Sequence, residues 1–128
     1  MNTLRDAVKN LSGTVLEIGN ISSFNVLQSA LRNGLVKFFT TDVPDEGIKL
    51  AEMKQPDVIF IDPFMPVSGF KIYEILQLNQ KTKHMPVIFY TDGNSEVQKI
   101  LKELGVPYIC KPFDREEMAN YLLTYLNS

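Results

Sequence analysis

Three short apolar runs constrain the fold of this chain more than any other feature. They read VIFI, VIFY and VPYIC and cover residues 58–61, 87–90 and 106–110. None of them alternates polar with apolar residues, which is typical of strands that are covered on both faces in a parallel sheet. Two further strand candidates, residues 14–18 and 36–41, precede them. The sequence therefore predicts five strands, most of them buried.

Segments with helical spacing separate the predicted strands. Helices are expected over residues 22–32 and 45–54, and two later segments carry apolar residues at helical intervals: Phe70, Ile72, Tyr73, Ile75 and Leu76 in the first, and Val97, Ile100, Leu101 and Leu104 in the second. Regular alternation of strand and helix implies right-handed crossovers and a doubly wound α/β sheet.

Two helix ends are marked by their residues. Gly105 is expected in the left-handed conformation that closes a helix at its C-terminus. Asp114 is expected to cap the last helix, with Glu117 as its capping-box partner. That helix would run through Met118, Leu122 and Leu126.

Length and charge exclude several classes of protein. The 128 residues fit one domain, which we assign to residues 14–128, and residues 1–13 form an extension that is either a docking helix or a remnant of a longer protein. A net charge of −2 gives no sign of nucleic-acid binding. No apolar stretch approaches the ~20 residues of a membrane span. The single cysteine, Cys110, indicates a reducing compartment, so a cytoplasmic protein is expected.

Candidate reactive residues follow three of the predicted strands. Asp62 follows the third strand, Thr91 ends the fourth, and Lys111 follows the fifth. Ligands of open α/β sheets bind beyond the carboxyl ends of the strands. A carboxylate there can form an aspartyl-phosphate, while a hydroxyl and an ammonium contact the phosphoryl oxygens. A divalent cation would normally bridge the phosphoryl group and nearby carboxylates.

The motifs at these strand ends resemble one known family. Residues 56–69, PDVIFIDPFMPVSG, resemble the phosphoacceptor region of response-regulator receiver domains, in which an aspartate ends the third strand and Met-Pro follows. Residues 87–91 resemble the family's fourth strand, which ends in a hydroxyl residue. Residues 107–112, PYICKP, resemble its fifth strand, which ends in Lys-Pro. The resemblance spans residues 14–126, nearly the whole chain.

The resemblance implies a fold and a function. The fold would be flavodoxin-like, with five parallel strands in the order 2-1-3-4-5 and helices on both faces. Asp62 would accept a phosphoryl group from a histidine kinase or phosphotransfer protein, with Lys111 and Thr91 contacting it. Tyr108 would be the aromatic switch that changes affinity for a downstream partner or output domain. The Lys111–Pro112 bond would be cis. The domain would be a signalling module and not an enzyme.

The chain departs from the family where receiver domains hold Mg²⁺ with a pair of acids after the first strand. In one register Glu17 and Ile18 take these positions, and in the other Gly19 and Asn20 take them. Neither register supplies two acids. We therefore expect Mg²⁺ binding to be weak or absent, with Asp62 and, weakly, Glu17 as its ligands.

Other departures keep a second function open. Asp92 follows Thr91, and Phe64 lies two residues after Asp62, so an extra carboxylate and a bulky apolar group are expected beside the pocket. The alternative function is a pseudo-receiver, a phosphorylation-independent interaction module with Tyr108, Phe113 and Tyr121 on its docking surface. Each candidate also has an ordinary structural explanation: Asp62 as a turn cap, Thr91 as a strand residue and Lys111 as a solvated lysine.

Overall fold

Five parallel strands form a single sheet in the order β2-β1-β3-β4-β5, which confirms the predicted topology. The computed structural model describes residues 10–19, 35–63, 68–91, 93, 95–110 and 115–126. The strands are β1 (Gly13–Ile18), β2 (Val36–Thr41), β3 (Val58–Ile61), β4 (Val87–Thr91) and β5 (Tyr108–Cys110). The described helices are α1 (Pro44–Lys54), α2 (Gly69–Leu78), α3 (Ser95–Leu104) and α4 (Arg115–Tyr125). The helix expected over residues 22–32 and the cap Asp114 lie outside these ranges.

Each face of the sheet carries its own apolar cluster. Every residue of β3 and β4 is buried, as expected for strands that are covered on both faces. The first cluster joins one strand face to α4, through Met118, Leu122 and Leu126. The second joins the opposite face to the other three helices, through Ala51, Ile72, Leu76, Val97 and Leu101. Side chains alternate between the two faces, so neighbouring residues of one strand belong to different clusters.

The first cluster includes a residue that we expected outside the domain. Leu11 is fully buried there together with Val15 and Val58. Strand β1 begins at Gly13, and Val15, two residues later, is fully buried in the sheet. The Thr14 amide donates to the Asp57 carboxylate at 2.8 Å. The extension predicted over residues 1–13 therefore contains at least one core residue, because the apolar cluster reaches past the start of β1.

Helix α3 ends as its sequence predicted. Gly105 has a φ of 71°, in the left-handed region, and the Val106 amide donates to the Leu101 carbonyl at 3.0 Å. Only two of its four periodic apolar residues are buried, however. Val97 and Leu101 are buried, whereas Ile100 and Leu104 are 42% and 51% exposed. The helix thus buries a narrower stripe than its four periodic residues indicated.

Within the ranges described above, no helix has the length and apolar character needed to cross a membrane. The longest described helices, α1 and α4, have 11 residues each.

Candidate phosphoacceptor site

Asp62 and Thr91 lie at the carboxyl ends of adjacent strands. Parallel pairing puts Ile61 of β3 opposite Phe89 of β4, so that the residues after them approach the same edge of the sheet. Both side chains belong to residues that are almost completely buried, with Asp62 7% and Thr91 1% exposed. The sequence predicted that these two residues lie at the same edge of the sheet. The register of β3 and β4 brings the carboxyl ends of these two strands together.

The Thr91 hydroxyl is oriented by the turn that follows it. Its oxygen accepts a hydrogen bond from the Gly93 amide at 3.3 Å. Since a hydroxyl has one hydrogen to donate and two lone pairs, this bond uses a lone pair and leaves the hydrogen for another acceptor. Such an arrangement suits donation to an anionic oxygen bound at the strand ends.

Two glycines pack against the backbone of Asp62. A Cβ added to Gly19, at the end of β1, would overlap the Cβ of Asp62. A Cβ added to Gly69, at the start of α2, would lie 2.6 Å from the Asp62 carbonyl oxygen. The Asp62 amide donates to the Ile18 carbonyl at 3.0 Å. Asp62 is therefore packed against Gly19 and Gly69, and its amide is hydrogen-bonded to Ile18.

The two possible registers of the first strand differ in where they put Glu17. In the structure Glu17 pairs with Phe60, two residues before Asp62, and is fully buried inside the sheet. Gly19, the residue directly after β1, lies against Asp62. The packing therefore favours the register in which Gly19 and Asn20 take the positions of the acid pair. Asn20 itself lies outside the described residues.

Glu17 lies near the buried phenol of Tyr90. Burial, and to a smaller degree the negative charge of Glu17, raises the pKa of Tyr90 far above its ordinary value of 10.0. The Tyr90 ring also stacks on Phe60, with 5.3 Å between the ring centroids. We did not single out Tyr90 from the sequence. The signal that was present is Glu17, an acid within a strand whose neighbours are apolar.

Tyr108, the predicted switch residue, begins β5. Its side chain is half-buried against the second cluster. Its main-chain carbonyl accepts a hydrogen bond from the Tyr121 hydroxyl of α4 at 3.0 Å. This bond links α4 to β5, the strand that begins with the predicted switch residue Tyr108. No sequence pattern indicated the bond.

Several predicted site residues lie outside the described ranges. They are Phe64, Asp92, Lys111, Pro112 and Phe113. The expected contact of Lys111 with a phosphoryl group, the cis Lys111–Pro112 bond and the carboxylate of Asp92 therefore remain predictions.

The carboxyl edge of β1 and β3 was the expected place for Mg²⁺. Asp62 directly follows β3 there, Gly19 directly follows β1 and offers no side chain, and Glu17 lies deeper in the sheet. In the described part of the chain, no group of three or more His, Cys, Asp or Glu side chains could hold a metal ion.

Comparison with known proteins identifies the family. The model of the response regulator receiver domain matches residues 21–123, which is most of the chain. The chain belongs to this family. Receiver domains are the signalling modules of two-component response regulators. They bind Mg²⁺ in their active site and interact with histidine kinases or phosphotransfer proteins and with output partners.

Solved structures of receiver domains share the fold described above. The chemotaxis response regulator CheY4 of Vibrio cholerae matches with a TM-score of 0.76 and 25% identity, over 90% of this chain and 99% of that one. The receiver domain of a sensor histidine kinase from Pseudomonas aeruginosa, solved with magnesium in its active site cleft, also has a TM-score of 0.76. It is 20% identical over 89% of this chain and 97% of that chain, so it supports the fold alone.

Curated relatives are response regulators of several kinds. PilH of Pseudomonas aeruginosa is 34% identical over 76 residues, which are 57% of this chain and 63% of that protein. The transcriptional regulator PhoP of Bacillus subtilis is 31% identical over 100 residues, which are 76% of this chain and 41% of that protein. The chain thus spans less than two thirds of the length of these relatives.

Proposed function

We propose that this receiver domain accepts a phosphoryl group on Asp62 from a histidine kinase or phosphotransfer protein. The observation that carries the proposal is the position of Asp62: it follows β3 at the carboxyl edge of the sheet, beside the end of the strand that carries Thr91. In a member of the receiver family, this is the edge at which a ligand reacts.

The proposed reaction moves one phosphoryl group from a histidine nitrogen of the donor to a carboxylate oxygen of Asp62. A carboxylate oxygen of Asp62 attacks phosphorus, the bond between phosphorus and the donor histidine nitrogen breaks, and the electron pair of that bond stays on the imidazole. The product is an acyl phosphate on Asp62. Thr91 donates its hydroxyl hydrogen to one phosphoryl oxygen. Lys111 is proposed to neutralise another.

We further propose that phosphorylation changes the affinity of the domain for a downstream protein or output domain. Thr91 and Tyr108 lie on neighbouring strands, with Thr91 paired to Cys110 two residues after Tyr108. A shift of Thr91 towards the phosphoryl group would open space for the Tyr108 ring. On this proposal the domain is a cytoplasmic signalling module, has no separate substrate to turn over, and binds neither nucleic acid nor a membrane.

Mg²⁺ has a reduced part in this proposal. In the family it supplies charge neutralisation between the phosphoryl group and the carboxylates. Here Asp62 is the carboxylate that the described residues following β1 and β3 place at the edge, so we propose weak binding and assign no step to the ion. The weak Mg²⁺ site also favours a second candidate function, the pseudo-receiver that acts through protein contacts without phosphorylation.

Intact mass measurement after incubation with acetyl phosphate and Mg²⁺ tests the proposal. The wild-type chain should gain one phosphoryl group and an Asp62→Ala variant should gain none. A hydrogen bond to a charged group contributes about 1.5–3 kcal/mol. Thr91→Val should therefore slow the gain about 10- to 100-fold, whereas Thr91→Ser, which keeps the hydroxyl, should stay close to wild type.

The outcomes separate the two candidate functions. A gain that persists in Asp62→Ala would place the phosphoryl group on another residue and contradict the acceptor assignment. No gain with acetyl phosphate or with a phosphohistidine donor protein would overturn phosphorylation altogether and leave the pseudo-receiver function.

A further inference from the structure

Strand β2 forms one edge of the described sheet, with β1 as its neighbour. It pairs with β1 in continuous register over all of its six residues, Val36–Thr41, and contains no proline. The strand at the other edge, β5, has three residues. Sheet edges are usually kept short or interrupted by prolines and bulges, because an open edge can pair with a strand of another chain. Of the two edges, β2 therefore suits such pairing better.

The hydrogen bonds to β1 show which main-chain groups of β2 point outward. The Thr41 carbonyl accepts a hydrogen bond from the Gly19 amide at 2.8 Å, so the main-chain groups of Thr41 point towards β1. Successive residues of a strand direct these groups to opposite sides. The amides and carbonyls of Val36, Phe38 and Thr40 therefore point away from β1, and among the described residues no hydrogen bond reaches them from that side. They can pair with an added strand.

Two copies of β2 match each other when they run antiparallel about a two-fold axis through Phe38. Phe38 then lies opposite Phe38 of the second copy, and Val36 lies opposite Thr40 of the second copy. Residues paired in this way exchange both of their main-chain hydrogen bonds. Aromatic pairs are favourable across strands, and β-branched residues such as Val36 and Thr40 suit strands in general. This register satisfies all the outward-pointing groups of both strands.

The charge on β2 fits the same register. Lys37 is the charged residue of this strand, and its side chain is exposed. In the pairing about Phe38, Lys37 lies opposite Phe39 of the second copy. An axis through Lys37 would instead place the two lysines opposite each other, which is destabilising. Phe38, Phe39 and Thr40 are half-buried, so they leave side-chain surface that a second copy would cover.

We propose that β2 is a dimerisation edge, at which a second copy of this chain pairs antiparallel about Phe38. The two five-stranded sheets become one continuous sheet, with their carboxyl edges facing opposite directions. Neither copy then lies across the Asp62 edge of the other. An interface formed by one strand belongs to the small interfaces, below about 1,200 Å², that associate weakly, so the dimer is expected at high concentration. This inference goes beyond the proposed function and does not depend on it.

Sedimentation equilibrium at concentrations from about 10 µM to about 1 mM tests the dimer. The average mass of the wild-type chain should rise from 14.6 kDa towards twice that value. Thr40→Pro removes an outward amide hydrogen and leaves the ladder to β1 intact, as prolines at sheet edges do. It should weaken association about 30-fold or more, because the symmetry removes this hydrogen bond from both halves of the interface. The matched control is Thr40→Val, which keeps the amide and should associate like the wild type.

Hydrogen exchange measured by NMR gives a second readout that needs no substitution. At the concentration where half of the chains are paired, exchange of the Phe38 and Thr40 amides should slow about twofold, since it proceeds from the unpaired half. The amides of Phe39 and Thr41 point towards β1 and should exchange at the same rate at all concentrations.

A wild-type chain that stays at 14.6 kDa throughout would overturn the proposal and leave a strand of a different protein as the occupant of this edge. Unchanged association of Thr40→Pro, or equal slowing at Phe38 and Phe39, would also overturn it, because the two copies would then meet at another surface. The fate of the proposed function is measured separately, by the gain of a phosphoryl group in the intact mass of the wild type and of Asp62→Ala.

Discussion

Tyr90 and Glu17 bring two ionisable groups into the interior of the sheet. Both residues are fully buried, on the strands that flank β3. A charged phenolate in such a place would lose its hydration and would face the carboxylate of Glu17. Folding therefore requires Tyr90 to stay protonated, which makes stability depend on pH in the alkaline range.

The expected alkaline loss of stability has a definite sign. Because the pKa of Tyr90 is raised in the folded state, the unfolded chain releases this proton first as pH rises. The stabilisation is complete below the ordinary pKa of 10.0 and declines above it. The decline amounts to about 1.4 kcal/mol per pH unit for one such group.

Urea unfolding between about pH 8 and pH 11 measures this slope. Tyr90→Phe keeps the ring that stacks on Phe60 and should lose the part of the slope that Tyr90 contributes. Tyr125→Phe, on α4, serves as the control for removing a tyrosine hydroxyl outside the sheet. If Tyr90→Phe falls in stability above pH 10.0 as steeply as the wild type, the buried phenol is not the cause.

At the residue scale, the sequence predicted the positions of Asp62 and Thr91 at the strand ends but not what surrounds them. These positions could be predicted because Asp62 follows β3 and Thr91 ends β4, and both strands are recognisable apolar runs. The contact of Gly19 with Asp62 could not be predicted, because it depends on the register in which β1 pairs with β3. The proximity of Tyr90 to Glu17 could not be predicted for a similar reason. Within an apolar run, the sequence does not distinguish a tyrosine in the core from a tyrosine beside a buried acid.

The bond from Tyr121 to the Tyr108 carbonyl is the feature that matters most at the scale of elements. It joins α4 to β5 at 3.0 Å, and β5 has only three residues. A short strand at the end of a sheet has few ladder bonds, so a side-chain bond to its backbone contributes a larger share of its stability.

Tyr121→Phe should lower the free energy of unfolding by about 1 kcal/mol, the usual net value of one neutral hydrogen bond. Chemical denaturation checks the total, and hydrogen exchange at Ile109 and Cys110 should accelerate more than exchange in β3. Tyr125→Phe removes a hydroxyl from the same helix and serves as the control. Equal effects of the two substitutions would show that the bond to Tyr108 stabilises nothing.

The elements themselves were largely predictable, and the exceptions have local causes. The fifth strand was expected from residue 106 but begins at Tyr108. Val106 gives its amide hydrogen to Leu101 to close α3, and Pro107 has no amide hydrogen for the ladder. In α3, the sequence placed Ile100 and Leu104 at helical intervals with Val97 and Leu101. Spacing alone does not tell how wide a stripe the sheet covers, and only Val97 and Leu101 reach it.

At the scale of the whole molecule, Leu11 ties the start of the described chain to the core. It is fully buried in the first cluster although it precedes β1. The limits of the domain could not be found from the sequence here. Residues 1–13 are mostly polar, and the helical spacing of Leu4, Val8 and Leu11 fits a detached helix as well as a segment with a residue in the core.

Leu11→Ala should destabilise the protein by about 2–5 kcal/mol, as expected when a leucine is removed from a packed core. The matched control is Leu78→Ala, at the end of α2, because Leu78 is 79% exposed. That change should stay within about 0.5 kcal/mol. Urea unfolding of both variants gives the comparison. A loss at Leu11 as small as at Leu78 would mean that residues before β1 are dispensable for the fold.

The phenol of Tyr121 also has a consequence for assembly. In the ladder with β4, the Pro107 carbonyl receives the Phe89 amide, so the Tyr108 carbonyl points the opposite way, towards the open margin of the sheet. At an unpaired sheet edge of this kind, a strand of another molecule can add to the sheet. Because the Tyr121 hydroxyl already donates to that carbonyl, one acceptor that an added strand would need at this edge is already used.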